Sequence, residues 1–339
     1  MRDLLRDPLR IGILGCGSFV ERRILPILSE VPSIQVICLQ NRSLLKAQRM
    51  ARDFGIARAV NTKEELVEKS EIEAVFITSA NFCHEEDALA CAEAYKPVLC
   101  EKPLSISFSS TERMVEAFQA KNLPFLVGHQ LRFKSSLQKI KQYYLEGKLG
   151  DLLHIRAFYY SRTLPENNWR LQKGNGGGAL QEIGVHLIDL IHFITQEKIE
   201  PSHAAALPTL QDKAETMVSL QGHLKNSQAL VSIECSFQRP YYNGIEVIGT
   251  KGRMVSEGSL RQTYDPGEIL YFEGENGEKT YLPLKASNLY VDELKHFAEV
   301  VAFERSSILS AEISLSSQST IDKGYELLEA TSVNSSYLS

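Results

Sequence analysis

The chain has 339 residues, 43% of them hydrophobic and 23% charged, and its 37 Lys+Arg against 42 Asp+Glu leave a formal net charge of -5. At about 150 residues per domain this length predicts two domains, and the mild acidity gives no electrostatic reason to expect nucleic acid as a partner. No apolar run reaches the ~20 residues of a membrane span, residues 1–10 lack the apolar core of a signal peptide, and the 6 cysteines show no CxxC spacing for zinc or a disulfide framework; a soluble cytoplasmic protein is expected.

Short continuous apolar runs predict strands over residues 10–14, 34–39, 73–78, 97–100 and 124–127. Runs of this kind suit strands covered on both faces. Helical spacing of apolar residues over 43–54, 84–95 and 110–121 places helices between them, and an apolar-periodic helix is expected after Gly17. The alternation is that of a parallel sheet with crossover helices. After Gly150 the texture changes. Residues 152–160, 215–222, 228–238 and 245–249 are longer and alternate, as strands of an antiparallel sheet with one covered face do. Helices are expected over 178–193, 288–303 and 310–331. The fold class is therefore α/β: an N-terminal doubly wound parallel sheet over residues 1–130, then an α+β domain over 131–339 with a large, mostly antiparallel open sheet. The last helix either returns to the first domain or runs along the second. In 152–160, Leu152, His154, Arg156, Phe158 and Tyr160 share one face and Leu153, Ile155, Ala157 and Tyr159 the other.

The first strand runs into Gly15-Cys16-Gly17-Ser18-Phe19-Val20. A strand, a glycine turn and a helix N-terminus together form an anion site suited to a pyrophosphate. Gly15 would allow the sharp turn and Gly17 the close approach of backbone to phosphate, with Ser18 and Phe19 beside them. Val20 stands where a third small residue is usual, and an ordinary β-to-α turn is the alternative. Cys16 lies near a helix N-terminus, where a thiol can become reactive; packing within the loop is the reading favoured here.

Three later motifs follow at characteristic distances: Cys100-Glu101-Lys102-Pro103, Gly128-His129-Gln130-Leu131-Arg132-Phe133, and the stretch from Gly176-Gly177-Gly178 through Glu182 and His186 to Leu190. With Gly147–Gly150, Gly249–Gly252 and the helix around Glu293-Leu294-Lys295-His296-Phe297, the chain resembles the glucose–fructose oxidoreductase/inositol dehydrogenase (Gfo/Idh/MocA) family over nearly its whole length. The resemblance implies a Rossmann domain, an open sheet domain, a nicotinamide cofactor, and hydride exchange at a carbon bearing a hydroxyl or ketone, often on a sugar or cyclitol. It also implies a homodimer or homotetramer built through the C-terminal sheet.

Such a reaction needs a group that gives or takes a proton at the substrate oxygen. Lys102 follows a strand at the carboxyl edge of the sheet, where open α/β sheets bind ligands. His186 stands four residues after Glu182, so the two share one helical face. The resemblance makes Lys102 and His186 the catalytic pair, with Glu182 in place of the usual aspartate orienting the imidazole. Glu182 and His186 could also ligate a metal, but no third ligand has a recognisable spacing, so none is expected. Ser79, Asn81 and His84, in a segment that usually reads Thr-Pro-Asn-x-x-His, are candidate cofactor contacts, and capping of the next helix is the competing role. Ala80 replaces the proline, which suggests a less rigid loop. Glu101, Lys102 and Gln130 join the cofactor set. Arg132, Tyr160, Arg162, Trp169 and Arg170 are substrate candidates.

At the end of the second strand stand Asn41 and Arg42. An NAD site normally offers an acid there, which would repel a 2′-phosphate; Arg42 would attract one. The cofactor is NADP or NAD, and this pair leans towards NADP. Two rivals remain at this stage: a cofactor-binding sensor or scaffold without turnover, and a reductase of an aromatic or tetrapyrrole-like substrate.

Overall fold

A computed structural model describes residues 3–161, 163–165, 168–207, 213–238, 241–261 and 267–336. The chain divides into two units, one formed by Met1–Gln130 with Asn288–Leu315, the other by Leu131–Ser287 with Ser316–Ser339.

The first unit is built on six strands: β1 (Leu9–Leu14), β2 (Ile34–Gln40), β3 (Arg58–Val60), β4 (Ala74–Ile77), β5 (Val98–Cys100) and β6 (Phe125–Val127). All pair in parallel, in the order β3-β2-β1-β4-β5-β6. Between them run α1 (Leu44–Asp53), α2 (Lys63–Val67), α3 (His84–Glu93) and α4 (Phe108–Ala120). The apolar runs read from the sequence are buried on both faces, as Val75, Phe76, Ile77, Val98 and Leu99 illustrate with no exposed surface. Strand order reverses at β1, with β2 on one side and β4 on the other, which opens a crevice at the carboxyl ends of these strands. The sheet's β6 edge is covered: Val127 N–H donates to Leu309 O and Ala311 N–H to Phe125 O, each at 2.9 Å. This pairing satisfies backbone groups that an exposed edge would offer to other chains.

The helix expected after Gly17 is irregular. A π-helical turn (Val20–Ile24) passes into a 3-10 stretch (Leu25–Glu30). Pro26 has no N–H to donate, so a continuous α-helical ladder cannot run through it. Val20, which departs from the small residue expected there, is wholly buried.

The second unit begins with α5 (Ser135–Leu145) and carries β7 (Leu152–Tyr160), α6 (Val185–Thr195), β8 (Ile199–Leu207), β9 (Met217–Leu224), β10 (Leu230–Ser236), β11 (Tyr242–Gly249), β12 (Gly252–Glu257), β13 (Ile269–Gly274) and β14 (Lys279–Tyr281). The strands form one sheet, β14-β13-β12-β11-β7-β10-β9-β8, antiparallel except where β7 meets β10. One face is apolar and buried through Ile155, Ala157, Val231, Ile233 and Val247. In β7 the alternation is broken near its start. Ile248 pairs with His154 and Gly249 with Leu152, so Leu153 is passed over. This bulge reverses the expected facing: Leu152 is buried and Leu153 is 49% exposed. Of the last two helices, α7 (Leu289–Phe303) lies in the first unit and α8 (Ile313–Ser336) belongs to the second from Ser316 on. Among the described residues, no helix is long and apolar enough to cross a membrane.

Candidate active site

In the first unit the glycine loop follows β1 directly. Gly15 has φ +78°, and a Cβ there would lie 2.4 Å from Ser79 Cα, so no other residue fits without moving backbone. At Gly17 a Cβ would meet only Gly15 O, at 3.8 Å. The protein thus leaves the space over Gly17 open, as a backbone that receives a ligand must. Gln40 at the end of β2 braces the loop: its Oε1 accepts from Gly15 N–H at 3.0 Å and its carbonyl from Cys16 N–H at 2.9 Å. Cys16 is packed beneath, its thiol donating to Ile13 O at 3.3 Å, and burial pushes the thiol up to about 12. A thiol held neutral in this way is a packing residue and a poor nucleophile.

A cleft of about 530 Å³ opens at the carboxyl ends of β1 to β4, bounded by Gly15, Asn41, Arg42, Lys46, Ser79 and Asp87 among others. Asn41 has a local task there, since its side chain donates to Cys16 O and accepts from Ser43 N–H. Arg42 is exposed at the rim. Lys46, one turn along, adds a second cation that sequence reasoning did not single out. Lys63 also lines the cleft but is ion-paired with Glu86. Ser79 donates to Asp87 Oδ2 at 2.7 Å, and burial raises the Asp87 pKa despite that bond.

Ala80 has φ −74° and ψ 147°, the geometry a proline would impose, so its replacement of proline leaves the loop path unchanged. Asn81 is buried in the 3-10 turn that follows. His84 is wholly buried between two carbonyls, Nδ1 2.9 Å from Pro103 O and Nε2 3.1 Å from Ser79 O. Burial pushes its pKa down. It therefore fastens the loop after β4 to the turn after β5. That turn carries Lys102, which is half-buried, precedes a cis peptide bond to Pro103, and donates its N–H to Glu101 Oε2 at 3.3 Å. Gln130 is buried beyond β6. Its Nε2 donates to Tyr290 Oη at 3.4 Å, while its Oε1 has no hydrogen-bond partner among the described residues. Phe19 meets the Tyr290 ring edge-on, centroids 5.5 Å apart.

In the second unit the glycine triplet shapes the entry to the helix that bears Glu182 and His186. A Cβ on Gly177 would lie 2.4 Å from Arg170 O; on Gly178, with φ +127°, it would strike Glu215 Oε1 at 2.4 Å. Glu215 accepts from Leu180 N–H and from Tyr325 Oη, both at 3.0 Å, and so satisfies a donor at the helix start. Neither partner was visible in the sequence, since 110 residues separate Glu215 from Tyr325. The π-helical turn Leu180–Gly184 leads into α6, and Glu182 and His186 are both buried on it. Glu182 Oε2 accepts from Arg170 Nε at 2.7 Å, and the Arg170 guanidinium stacks over the Trp169 ring at 4.4 Å. These four candidates therefore gather around one end of α6.

Arg132 lies elsewhere in that unit, buried and paired in bidentate fashion with Asp189 at 3.0 and 2.5 Å. Its geometry is that of a structural fork. Tyr160 donates to Glu234 Oε2 at 2.6 Å. The neighbouring Cys235 faces Gly184 and thus the helix side of the sheet, which puts Glu234 and Tyr160 on the open side, away from Glu182. Burial, then Glu234, pushes the Tyr160 phenol up to about 12. Arg162 lies outside the described residues. Among those residues no three His, Cys, Asp or Glu gather as a metal site.

Comparison with known proteins accounts for both units. Residues 9–129 match a family described as an oxidoreductase family with an NAD-binding Rossmann fold, and residues 137–255 match the GFO/IDH/MocA C-terminal domain. The chain is 29% identical to a dTDP-3,4-didehydro-2,6-dideoxy-alpha-D-glucose 3-reductase of Saccharopolyspora spinosa, over 74% of this chain and 75% of that one. It is 26% identical to a 1,5-anhydro-D-fructose reductase of Ensifer adhaerens, over 86% and 88%. A 3-ketoreductase of Actinomadura kijaniata, solved with NADP and TDP-benzene, superposes with a TM-score of 0.84 at 23% identity, covering 93% of this chain and 96% of the other. The chain belongs to the Gfo/Idh/MocA family of NAD(P)-dependent oxidoreductases.

Proposed function

We propose that the protein exchanges hydride between NADP and a hydroxyl or ketone carbon of a sugar, cyclitol or related cyclic substrate. The observation that carries this reading is the placement of Lys102 just beyond β5, at the same carboxyl edge of the sheet as the glycine loop beyond β1. Two features of the chain fit the cofactor: the open space over Gly17 and the orphaned buried acceptor of Gln130. Gly15, Gly17, Ser18 and Phe19 would hold the pyrophosphate end, with Asn41, Arg42, Ser79, Asn81 and His84 shaping the rest of the cleft, and Glu101 and Gln130 would lie nearer the reacting ring. The bound nicotinamide supplies or accepts the hydride. Lys102 holds the proton at the substrate oxygen, giving it up as a ketone is reduced and taking it as an alcohol is oxidised. His186 is the second candidate proton carrier, and Glu182, clamped by Arg170, steadies the turn of helix that carries the imidazole. Trp169 and Arg170 border the substrate. The sugar reductases among the relatives support this substrate class. Consumption of NADPH and NADH, followed at the nicotinamide absorbance band with a panel of sugar and cyclitol ketones, tests it. Turnover of a cyclic sugar ketone is expected; binding of both cofactors with no turnover across the panel would instead favour a sensor.

Preference for NADP rests on Arg42, with Lys46 beside it. Arg42→Ala is expected to weaken NADP binding by about 1–3 kcal/mol, the range for a charge-assisted hydrogen bond, and NAD binding much less. Equal losses in a fluorescence titration would reduce Arg42 to a surface for adenine.

The open face of the second unit's sheet supports a homodimer or homotetramer. Across it lie Phe158 stacked on Tyr242 at 4.4 Å, with Tyr160, Tyr271 and an Arg156–Glu246 ion pair. Its aromatic rings are interleaved with ion-paired charges, Arg156 and Arg253 on Glu246, and aromatic residues and arginine are the types enriched at interfaces. Burial of more than ~1,000 Å² per contact is expected, and a monomer mass by light scattering at micromolar concentration would contradict it.

A further inference from the structure

Glu293 sits within α7 with no exposed surface, and neither of its carboxyl oxygens has a hydrogen-bond partner among the described residues. An ionised carboxylate so placed would be desolvated and unpaired, which a folded chain avoids by keeping the group protonated. Burial pushes the Glu293 pKa well above the usual carboxylate range, and the Glu101 charge raises it further. The surroundings are those of the proposed reaction. Tyr290, one turn earlier on α7, is perturbed by burial and then by Glu101 and Glu293. Its hydroxyl accepts from Gln130, and its ring meets Phe19 of the glycine loop. Glu101 in turn accepts the Lys102 N–H and lies close over Gly128, where a Cβ would come within 3.3 Å of its carboxyl.

We infer that Glu293 is a positioning residue: as a neutral acid it sets no second negative charge against Glu101, which stays seated on the Lys102 amide. The inference rests on the assignment of Lys102 to the reaction and extends it to a residue that touches no substrate. Among the described residues Glu101 is the charged group that acts on Glu293; Tyr290 is the titratable neighbour on its own helix, and Arg23, from the helical stretch after the glycine loop, acts on Tyr290. If Glu293 ionises, two like charges confront each other in a low-dielectric interior, Glu101 shifts, and the Lys102 turn shifts with it.

Three readouts on the full chain test this, with Glu293→Gln as the neutral mimic and Glu293→Met, similar in length, as a second variant. Infrared difference spectra without cofactor should contain the carbonyl band of a protonated carboxylic acid at neutral pH, lost in both variants. Urea unfolding should follow the linkage sign of a raised pKa. The stability Glu293 contributes is complete below its unfolded value of about 4.3 and declines as pH rises through the folded one. The variants' midpoints should therefore fall less than that of the unaltered chain as pH rises above about 5. In turnover, the alkaline limb of the kcat profile should move to higher pH in Glu293→Gln, which a merely structural role would not produce. Absence of the band, or coincident pH profiles, overturns the inference. The infrared and unfolding measurements need no cofactor, so a protein with the band and the slope that reduces no sugar ketone would count against the reductase reading and leave the neutral acid standing.

Discussion

Lys102→Ala is expected to keep NADPH binding and to lose about 10²–10⁴-fold in kcat, the usual cost of removing a general acid–base group. In free energy that is about 3–5 kcal/mol of barrier. The selectivity of the loss follows from how the turn is held. The backbone at Lys102 is fixed by its own N–H on Glu101 and by His84 on the carbonyl of Pro103, neither of which involves the lysine side chain. Truncation at Cβ therefore leaves the turn in place. The glycine loop follows β1 and is braced by Gln40, so it is untouched. His186→Ala should act in the same direction, with kcat falling far more than cofactor affinity. Separate measurement of kcat and of the NADPH dissociation constant checks both. Full activity of the Lys102→Ala protein would remove the catalytic assignment while leaving the cofactor loop intact.

Gly17→Val is expected to abolish measurable binding of NADP and NAD while the chain still folds. The two glycines of the loop differ in what a side chain would meet. At Gly15 a Cβ would press on the Ser79 backbone at a positive φ, so substitution there would disturb the fold itself. At Gly17 the nearest protein atom to a Cβ is 3.8 Å away, so valine costs the unliganded chain little but occupies the approach to the main chain. A far-ultraviolet spectrum and thermal melt would report the intact fold, and titration the lost binding. Unchanged affinity for both cofactors would overturn the role given to this loop.

What the sequence revealed and what it hid follow from the range of the forces involved. The strands at β1, β2, β4 and β7 were legible because burial imposes periodicity on consecutive residues. β3 and α2 went unread, since three and five residues are too few to establish a period. β8 contains Pro201 and three alanines, a poor strand by propensity, and is tolerated at the sheet edge beside a shift of register. The Leu153 bulge and the irregular helix after Gly17 show tertiary pairing and a single proline overriding a correct local pattern. At the candidate site, the motif residues Lys102, Glu182 and His186 stood out, but their pairings did not. Arg170 was read as a substrate candidate and Glu293 only as part of a motif, so the pairing of Arg170 with Glu182, the support of Glu215 behind the glycine triplet and the charge of Glu101 acting on Glu293 had to come from the fold. Arg132 and Asn41 carried residue types that suit ligands, yet the structure engages both with neighbouring protein groups.

The central claim is hydride exchange with a sugar-like carbonyl, and isotope transfer tests it most directly. The protein would be incubated with a cyclic sugar ketone and NADPH deuterated at the transferring position of nicotinamide C4, and the product analysed by mass spectrometry and NMR. The account predicts a hydroxyl product carrying one deuterium at the former carbonyl carbon, formed by the unaltered chain and nearly absent with Lys102→Ala. Bound NADPH with no deuterium transferred to any ketone of the panel would contradict it.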